Sequence, residues 1–302
     1  MFKDRIHRHS RRAFLQAASA LGWIGLIQRP AAPTARADAP AAIAPEPDPF
    51  CALACRLANY GPFAASAWAH LPSIGVRYVF MDAPASDQVD AVRQRLAQCS
   101  LTPVVLRANA DLSQPAGLDH LDQQLAACAR LGVPYLFFSP KRRDTPKAAM
   151  YDRLRQAGRR AARHGVVIAL ETHPDLGANA GEHLETMARV DHPNVRVNFD
   201  TGNIHFYNAT ARAADELEKI IDHVATVEVK DHNGKAGDWH FPALGRGIVD
   251  FPRIFRILDQ HRYRGPVTIE IEGIQGVPRT EPEIKQDIED SVAFLRSLRR
   301  FR

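Results

Sequence analysis

Val166-Val167-Ile168-Ala169-Leu170 runs into Glu171-Thr172-His173, and Val195-Arg196-Val197-Asn198-Phe199 runs into Asp200-Thr201-Gly202-Asn203. Each is a strand-length apolar run with little alternation, which suits a strand of a parallel sheet covered on both faces. Working outward, similar runs occur at Cys51–Leu57, Val76–Met81, Pro103–Arg107, Pro134–Ser139, Ala225–Lys230 and Val267–Glu272, eight in all. Their starts fall roughly every 30 residues, the length of one βα unit. Segments between them, such as Val89-Val92-Leu96 and Leu118-Leu121-Leu125, place apolar residues at helical spacing. Gly75, Gly132, Gly165 and Gly265 stand before strands, where each would end the preceding helix. Eight units predict an α/β protein, a single-domain (β/α)8 TIM barrel over residues 50–302. A doubly wound open sheet would usually carry a Gly-rich phosphate turn after its first strand, and Asn59-Tyr60-Gly61-Pro62 is not one.

The 302-residue chain has a net charge of +5, from 39 basic and 34 acidic residues. Seven of the bases and one acid lie in residues 1–37, which leaves residues 38–302 with 32 bases against 33 acids, a net charge of −1. The basicity belongs to the N-terminus, and no nucleic-acid partner is expected. Ser10-Arg11-Arg12-Ala13-Phe14-Leu15 precedes an uncharged run to Gln28, and Ala35-Arg36-Ala37 offers small residues for cleavage. Residues 1–37 therefore resemble a twin-arginine signal peptide, implying the twin-arginine translocation machinery as a partner, cleavage near Ala37 and a periplasmic location. Residues 38–49, rich in Ala and Pro, read as an extended linker. Cys51, Cys55, Cys99 and Cys128 lack zinc-site spacing. A Cys99–Cys128 disulfide is conceivable in an exported protein, but buried thiols are favoured.

A barrel puts its chemistry at the carboxyl ends of its strands. Those ends carry Glu171 on the fifth strand, Asp200 on the sixth, Glu228 with Lys230-Asp231-His232 on the seventh, and Glu270 with Glu272 on the eighth. That many carboxylates in one partly dry space would repel, and a shared divalent cation removes the repulsion. Taken singly, each has a plainer use. Asp200 could cap a turn, and because Glu270 and Glu272 share a facing, one of them would reach the centre.

Glu171-Thr172-His173, Asp200-Thr201-Gly202-Asn203, Val229-Lys230-Asp231, Gly245-Arg246-Gly247-Ile248-Val249-Asp250-Phe251 and Gly265-Pro266-Val267-Thr268-Ile269-Glu270 stand in the order found in the xylose-isomerase-like barrel superfamily. Within it the chain resembles the sugar phosphate isomerase/epimerase group. The resemblance implies one divalent metal held by Glu171, Asp200, the residue at 228 and Glu270. At 228 the group usually has His, and this chain has Glu. Either Glu228 ligates, giving an all-oxygen site that favours Mn²⁺ or Mg²⁺ over Zn²⁺ or Co²⁺, or His232 or His240 supplies a nitrogen. Glu228 is favoured. Asn203 stands where related epimerases have a substrate-binding histidine, and an amide can hydrogen-bond a hydroxyl without serving as an acid.

The implied activity is isomerisation or epimerisation of a small carbohydrate by proton abstraction beside a carbonyl, through an enediolate, with lyase chemistry also open. Glu171 and Glu270 would exchange protons with the substrate and Lys230 would neutralise developing charge. His173, Asn203, His232, Trp239 and Arg246 are the candidate substrate contacts. The 231–249 connection is long for a barrel, which suggests a binding role. Asp250 reads as the N-cap of the following helix. Two alternatives are a non-catalytic exported sugar-binding barrel with a degenerate metal site and an abasic-site endonuclease. The second needs further metal ligands and a basic face.

Overall fold

The computed structural model describes residues 51–302; the paired-arginine leader and the linker lie outside the described residues. Eight parallel strands close into a barrel: β1 (Leu53–Arg56), β2 (Tyr78–Asp82), β3 (Thr102–Arg107), β4 (Tyr135–Phe138), β5 (Val167–Glu171), β6 (Val195–Asp200), β7 (Val224–Val229) and β9 (Val267–Ile269). Closure is made by β9, which pairs with β7 on one side and β1 on the other, Ala54 opposite Thr268. The helices on the barrel are α1 (Ala67–Ser73), α2 (Val89–Gln98), α3 (Gly117–Leu131), α4 (Lys147–His164) and α5 (Ala180–Val190), then α6 (Thr201–Tyr207), α7 (Ala213–Ile220), α8 (Phe251–Gln260) and α9 (Glu281–Leu298).

The apolar runs behave as expected for doubly covered strands: Leu53, Val79, Leu136, Ile168, Val197, Val227 and Val267 are all buried. The main core joins them to helix residues such as Leu121, Leu154, Leu217 and Leu258, and a second cluster gathers Phe80, Val105 and Phe137. Gly132 and Gly165 end α3 and α4 in the left-handed conformation, at φ 70° and 67°. Gly265 does not end a helix. α8 stops at Gln260, and Gly265 is small because a side chain there would collide with the Ala225 carbonyl and the Tyr263 hydroxyl.

The eighth barrel strand ends at Ile269, so Glu270 and Glu272 lie on the segment that leaves it. Gly273–Ile274 (β10) then pairs antiparallel with His240–Phe241 (β8), a two-stranded sheet that joins the long 231–249 connection to the end of the barrel. Asp250 caps α8 by accepting the Arg253 N–H. All four cysteines are free thiols, three of them buried. Among the described residues no helix is long and apolar enough to cross a membrane.

Candidate active site at the carboxyl ends of the strands

Asp200, Glu228 and Glu270, all buried, each bring one carboxylate oxygen within 4.8 Å of the others. β6 and β7 set the first two side by side, Asp200 opposite Glu228 in register. Each acid is held by one oxygen and leaves the other without an aligned hydrogen bond. Asp200 Oδ1 caps α6, accepting from Gly202 N (2.8 Å) and Asn203 N (2.9 Å), while Oδ2 is orphaned. Glu228 Oε2 accepts from Asn198 Nδ2 at 2.9 Å, and its Oε1 has no hydrogen bond but faces the Arg56 guanidinium at 3.2 Å. Glu270 Oε1 is gripped by Arg56, and its Oε2 has no hydrogen bond but faces Lys230 Nζ at 3.4 Å. These three oxygens have no hydrogen bond and face only the Arg56 or Lys230 cation, at 3.2–3.7 Å, so this Asp/Glu/Glu triad could hold a metal that shares or displaces those pairs.

Two cations stand inside the cluster. Arg56, at the end of β1 and 6% exposed, pairs with Glu228 at 3.2 Å and with Glu270, its guanidinium lying over the Phe80 and Phe137 rings at 4.5 and 5.2 Å. Lys230 reaches Asp200 (3.7 Å), Glu270 (3.4 Å) and Glu272, with its Nζ 4.2 Å from the Phe241 ring centre. Against these stand Glu171, Asp200, Glu228, Glu270 and Glu272, so acid remains in excess. Burial pushes Asp200 and Glu228 above the ordinary carboxylate range; Lys230 opposes this at Asp200 and Arg56 at Glu228.

At the strand ends lies a cavity of about 570 Å³, a size typical of small-molecule sites, which Glu270 of the triad lines. Glu171, His173, Asn203, Lys230, Trp239 and Glu270 all line it. Glu171 is half-buried and stands beside the triad rather than among its three members. His173 meets Tyr207 edge to face at 5.3 Å. Asn203 accepts from Lys230 Nζ at 3.1 Å and donates to the Thr172 carbonyl, so it also positions the lysine. Trp239 is 39% exposed at the rim and packs on Phe206 and Phe241.

Two expected substrate contacts are placed elsewhere. His232 is fully buried, with Nδ1 accepting from Gly234 N and Nε2 donating to the Asp238 carbonyl, so its ring organises the loop. Arg246 turns outward onto α9, pairing with Asp287 at 3.0 Å and Asp290 at 2.5 Å. The reverse also occurs. Arg56 and Glu272 line the mouth together with Tyr207, while Asn198 donates to Glu228 and Thr172 accepts the Asp200 N–H. Arg56 had one visible signal, a lone base closing an apolar strand.

Thr172 staples the ends of β5 and β6. Its hydroxyl donates to the Asn198 carbonyl and accepts the Asp200 N–H at 3.1 Å. His183 meets the same hydroxyl at 3.3 Å, and burial lowers this imidazole to about 3, so it is neutral. Gly177 covers the ring, and a Cβ there would sit 2.7 Å from His183 Nδ1 and closer still to Cε1. Gly177→Ala is therefore expected to cost about 1–3 kcal/mol by overpacking. Thermal unfolding checks it, and an unchanged midpoint would reject the contact.

A closed parallel barrel with a carboxylate cluster at the carboxyl ends of its strands defines a TIM-barrel protein with its candidate site on the face where such barrels carry chemistry. The chain belongs to the xylose isomerase-like TIM barrel family, whose model matches residues 68–298. An inosose dehydratase of Histophilus somni is 27% identical over 128 residues, 37% of this chain and 43% of the dehydratase. The L-ribulose-5-phosphate 3-epimerase UlaE of Salmonella typhi is 27% identical over 190 residues, 62% of this chain and 60% of the epimerase. The matches thus span less than two thirds of these relatives. Among solved structures, a xylose isomerase domain protein from Planctomyces limnophilus superposes with a TM-score of 0.67 at 20% identity, over 83% of this chain and 98% of that one. The D-allulose 3-epimerase of Methylomonas sp. in complex with D-allulose gives 0.65 at 18% identity, over the same shares. At such identities the superpositions speak for the fold.

Proposed function

We propose that this protein is a divalent-metal-dependent isomerase or epimerase of a sugar or sugar derivative. The observation that carries the reading is the triad itself, three buried carboxylates that bring an oxygen each within 4.8 Å of one another at the strand ends, where Glu270 lines a cavity of about 570 Å³. Asp200, Glu228 and Glu270 would hold the ion, and an all-oxygen set favours Mn²⁺ or Mg²⁺. Once bound, the ion supplies Lewis-acid polarisation of a substrate carbonyl, which acidifies the neighbouring C–H.

The chain's own groups do the rest. Glu171, half-buried beside the triad, accepts the proton. Lys230, held by Asn203 Oδ1, offsets the negative charge that builds on the substrate oxygens. Glu270 lines the same mouth three strands away from Glu171 and, in an epimerase, exchanges the proton on the opposite face. Trp239 offers an exposed aromatic edge to the apolar face of the ring.

Deuterium incorporation from solvent into a panel of free sugars, with Mn²⁺ added, tests the reaction. Glu171→Gln is expected to lower that exchange by about 10²–10⁴-fold while metal binding persists; undiminished exchange would reject Glu171 as the base. A second reading, a sugar-binding barrel that has given up catalysis, draws on Arg56, whose charge already serves two triad acids. Metal analysis separates the two. One bound Mn²⁺ or Mg²⁺ supports the enzyme, and no metal with sugar binding intact supports the binding module.

A further inference from the structure

The mouth has a second wall that the metal reading does not use. β3 and β4 stand four strands from β7 and β9 around the barrel, so the segments that follow them lie across the mouth from Glu228 and Glu270. Arg107, Asn109 and Asp111 line the cavity from the end of β3, and Ser139, Lys141 and Arg143 line it from the loop after β4. Their free side-chain groups are donors. Arg107 Nε donates to Asp82 Oδ1 at 2.6 Å, and Arg143 Nε lies 3.1 Å from Asp111 Oδ2. Each guanidinium is thus anchored through one nitrogen, and its two terminal NH₂ groups have no protein partner among the described residues. Asp111 keeps no bare oxygen, since its Oδ1 accepts the Ser113 N–H at 2.9 Å. Asn109 is oriented by Gln124. Its backbone N–H donates to Gln124 Oε1 at 3.3 Å, which turns the Gln124 amide nitrogen onto Asn109 Oδ1 and leaves Asn109 Nδ2 free to donate. Lys141 is exposed, with neither an ion pair nor a side-chain hydrogen bond among the described residues. Its neighbour Arg142 is engaged elsewhere, by Asp175 at 3.4 Å and the Thr145 carbonyl at 2.8 Å.

We infer that the substrate is an anionic sugar derivative, its carboxylate or phosphate against Arg107, Asn109, Lys141 and Arg143 and its carbonyl end toward the triad. This rests on the sugar reading of the mouth and names the substituent that the sugar carries. A hydroxyl both donates and accepts, and of this wall's free side-chain groups only the Ser139 hydroxyl could take its proton. An anion only accepts, and each bond it makes to a guanidinium or ammonium is charge-assisted. The carboxylates across the mouth repel the same substituent, which fixes the end of the substrate that meets the triad. Guanidiniums already anchored by Asp82 and Asp111 lose little further freedom when the anion arrives.

Calorimetry in the presence of Mn²⁺ compares D-fructose, D-fructuronate and D-fructose 6-phosphate, which share one ketose frame and differ only at its last carbon. One of the two anionic ketoses is expected to bind at least about tenfold more tightly than D-fructose, the order expected for a hydrogen bond to a charged group, and which of them does so identifies the substituent. Lys141→Met combined with Arg143→Met should erase that advantage. Lys141→Met alone removes a side chain that holds no other part of the fold, and it should cut the advantage by about threefold should the double variant fold poorly. Equal affinities for all three ketoses, or an advantage that survives these substitutions, would overturn the inference and keep the sugar reading. Glycerate and glycerol 1-phosphate, which carry the anion without a ketose, separate the two levels of the argument. If either binds as tightly as its matching ketose and loses that affinity in the same variants, the sugar reading falls and an anion-binding wall remains. Binding by none of the five rejects both.

Discussion

Arg56→Met is expected to destabilise the metal-free protein by about 3–5 kcal/mol, because it strips the counter-charge from two buried acids at once. Methionine keeps the apolar contact with Phe80 and Phe137, so the change isolates the guanidinium. Glu228 loses its one cation within ion-pair reach among the described residues, while Glu270 retains Lys230, which Asp200 and Glu272 also use. Urea unfolding in chelator measures the loss, and a difference below about 1 kcal/mol would show that the pair does not matter to stability. Two further readouts follow from the same electrostatics. Mn²⁺ should raise the unfolding midpoint more in Arg56→Met than in the native protein, since the variant removes the cation that competes with the ion at Glu228. Adding Glu228→Gln to Arg56→Met should recover part of the loss, with an interaction energy of about 1–3 kcal/mol.

The barrel was legible because its signal is repeated eight times. Each apolar run has the length of a strand, and glycines such as Gly132 and Gly165 mark the ends of helices. Asp200 was legible in both of its uses. One oxygen caps α6 as a turn residue would, and the other joins the cluster, a division that only coordinates reveal. Arg56 was hidden because its partners lie 172 and 214 residues further along the chain, and an arginine closing a strand looks like any surface base. The β8–β10 pairing was hidden for a different reason: two-residue strands carry no periodicity. His232 and Arg246 share a loop with Trp239, and composition alone does not tell a side chain that folds the loop from one that faces the mouth.

That loop has its own keystone, and the expected result of removing it is large. Asp231→Asn should destabilise the protein by about 3–5 kcal/mol and loosen residues 231–249, although it preserves the size of the side chain. The buried Asp231 carboxylate accepts four backbone N–H groups. Oδ1 takes those of His232 (2.9 Å) and Val249 (3.2 Å), and Oδ2 takes those of Gly245 (2.9 Å) and Gly247 (2.8 Å). An amide offers one oxygen and one NH₂, so whichever way it turns, two backbone donors face a third donor. Gly247 comes so near that a Cβ there would collide with Asp231 Oδ1 and the His232 carbonyl. The same knot fixes the approach to β8, and with it Trp239 at the rim and Phe241 against the Lys230 ammonium. Hydrogen exchange at the Gly245, Gly247 and Val249 amides reads the effect directly. Protection should fall at all three in Asp231→Asn while the amides of β5 and β6 keep theirs. Protection that survived at Gly245 and Gly247 would mean that the loop holds its shape through its aromatic packing instead.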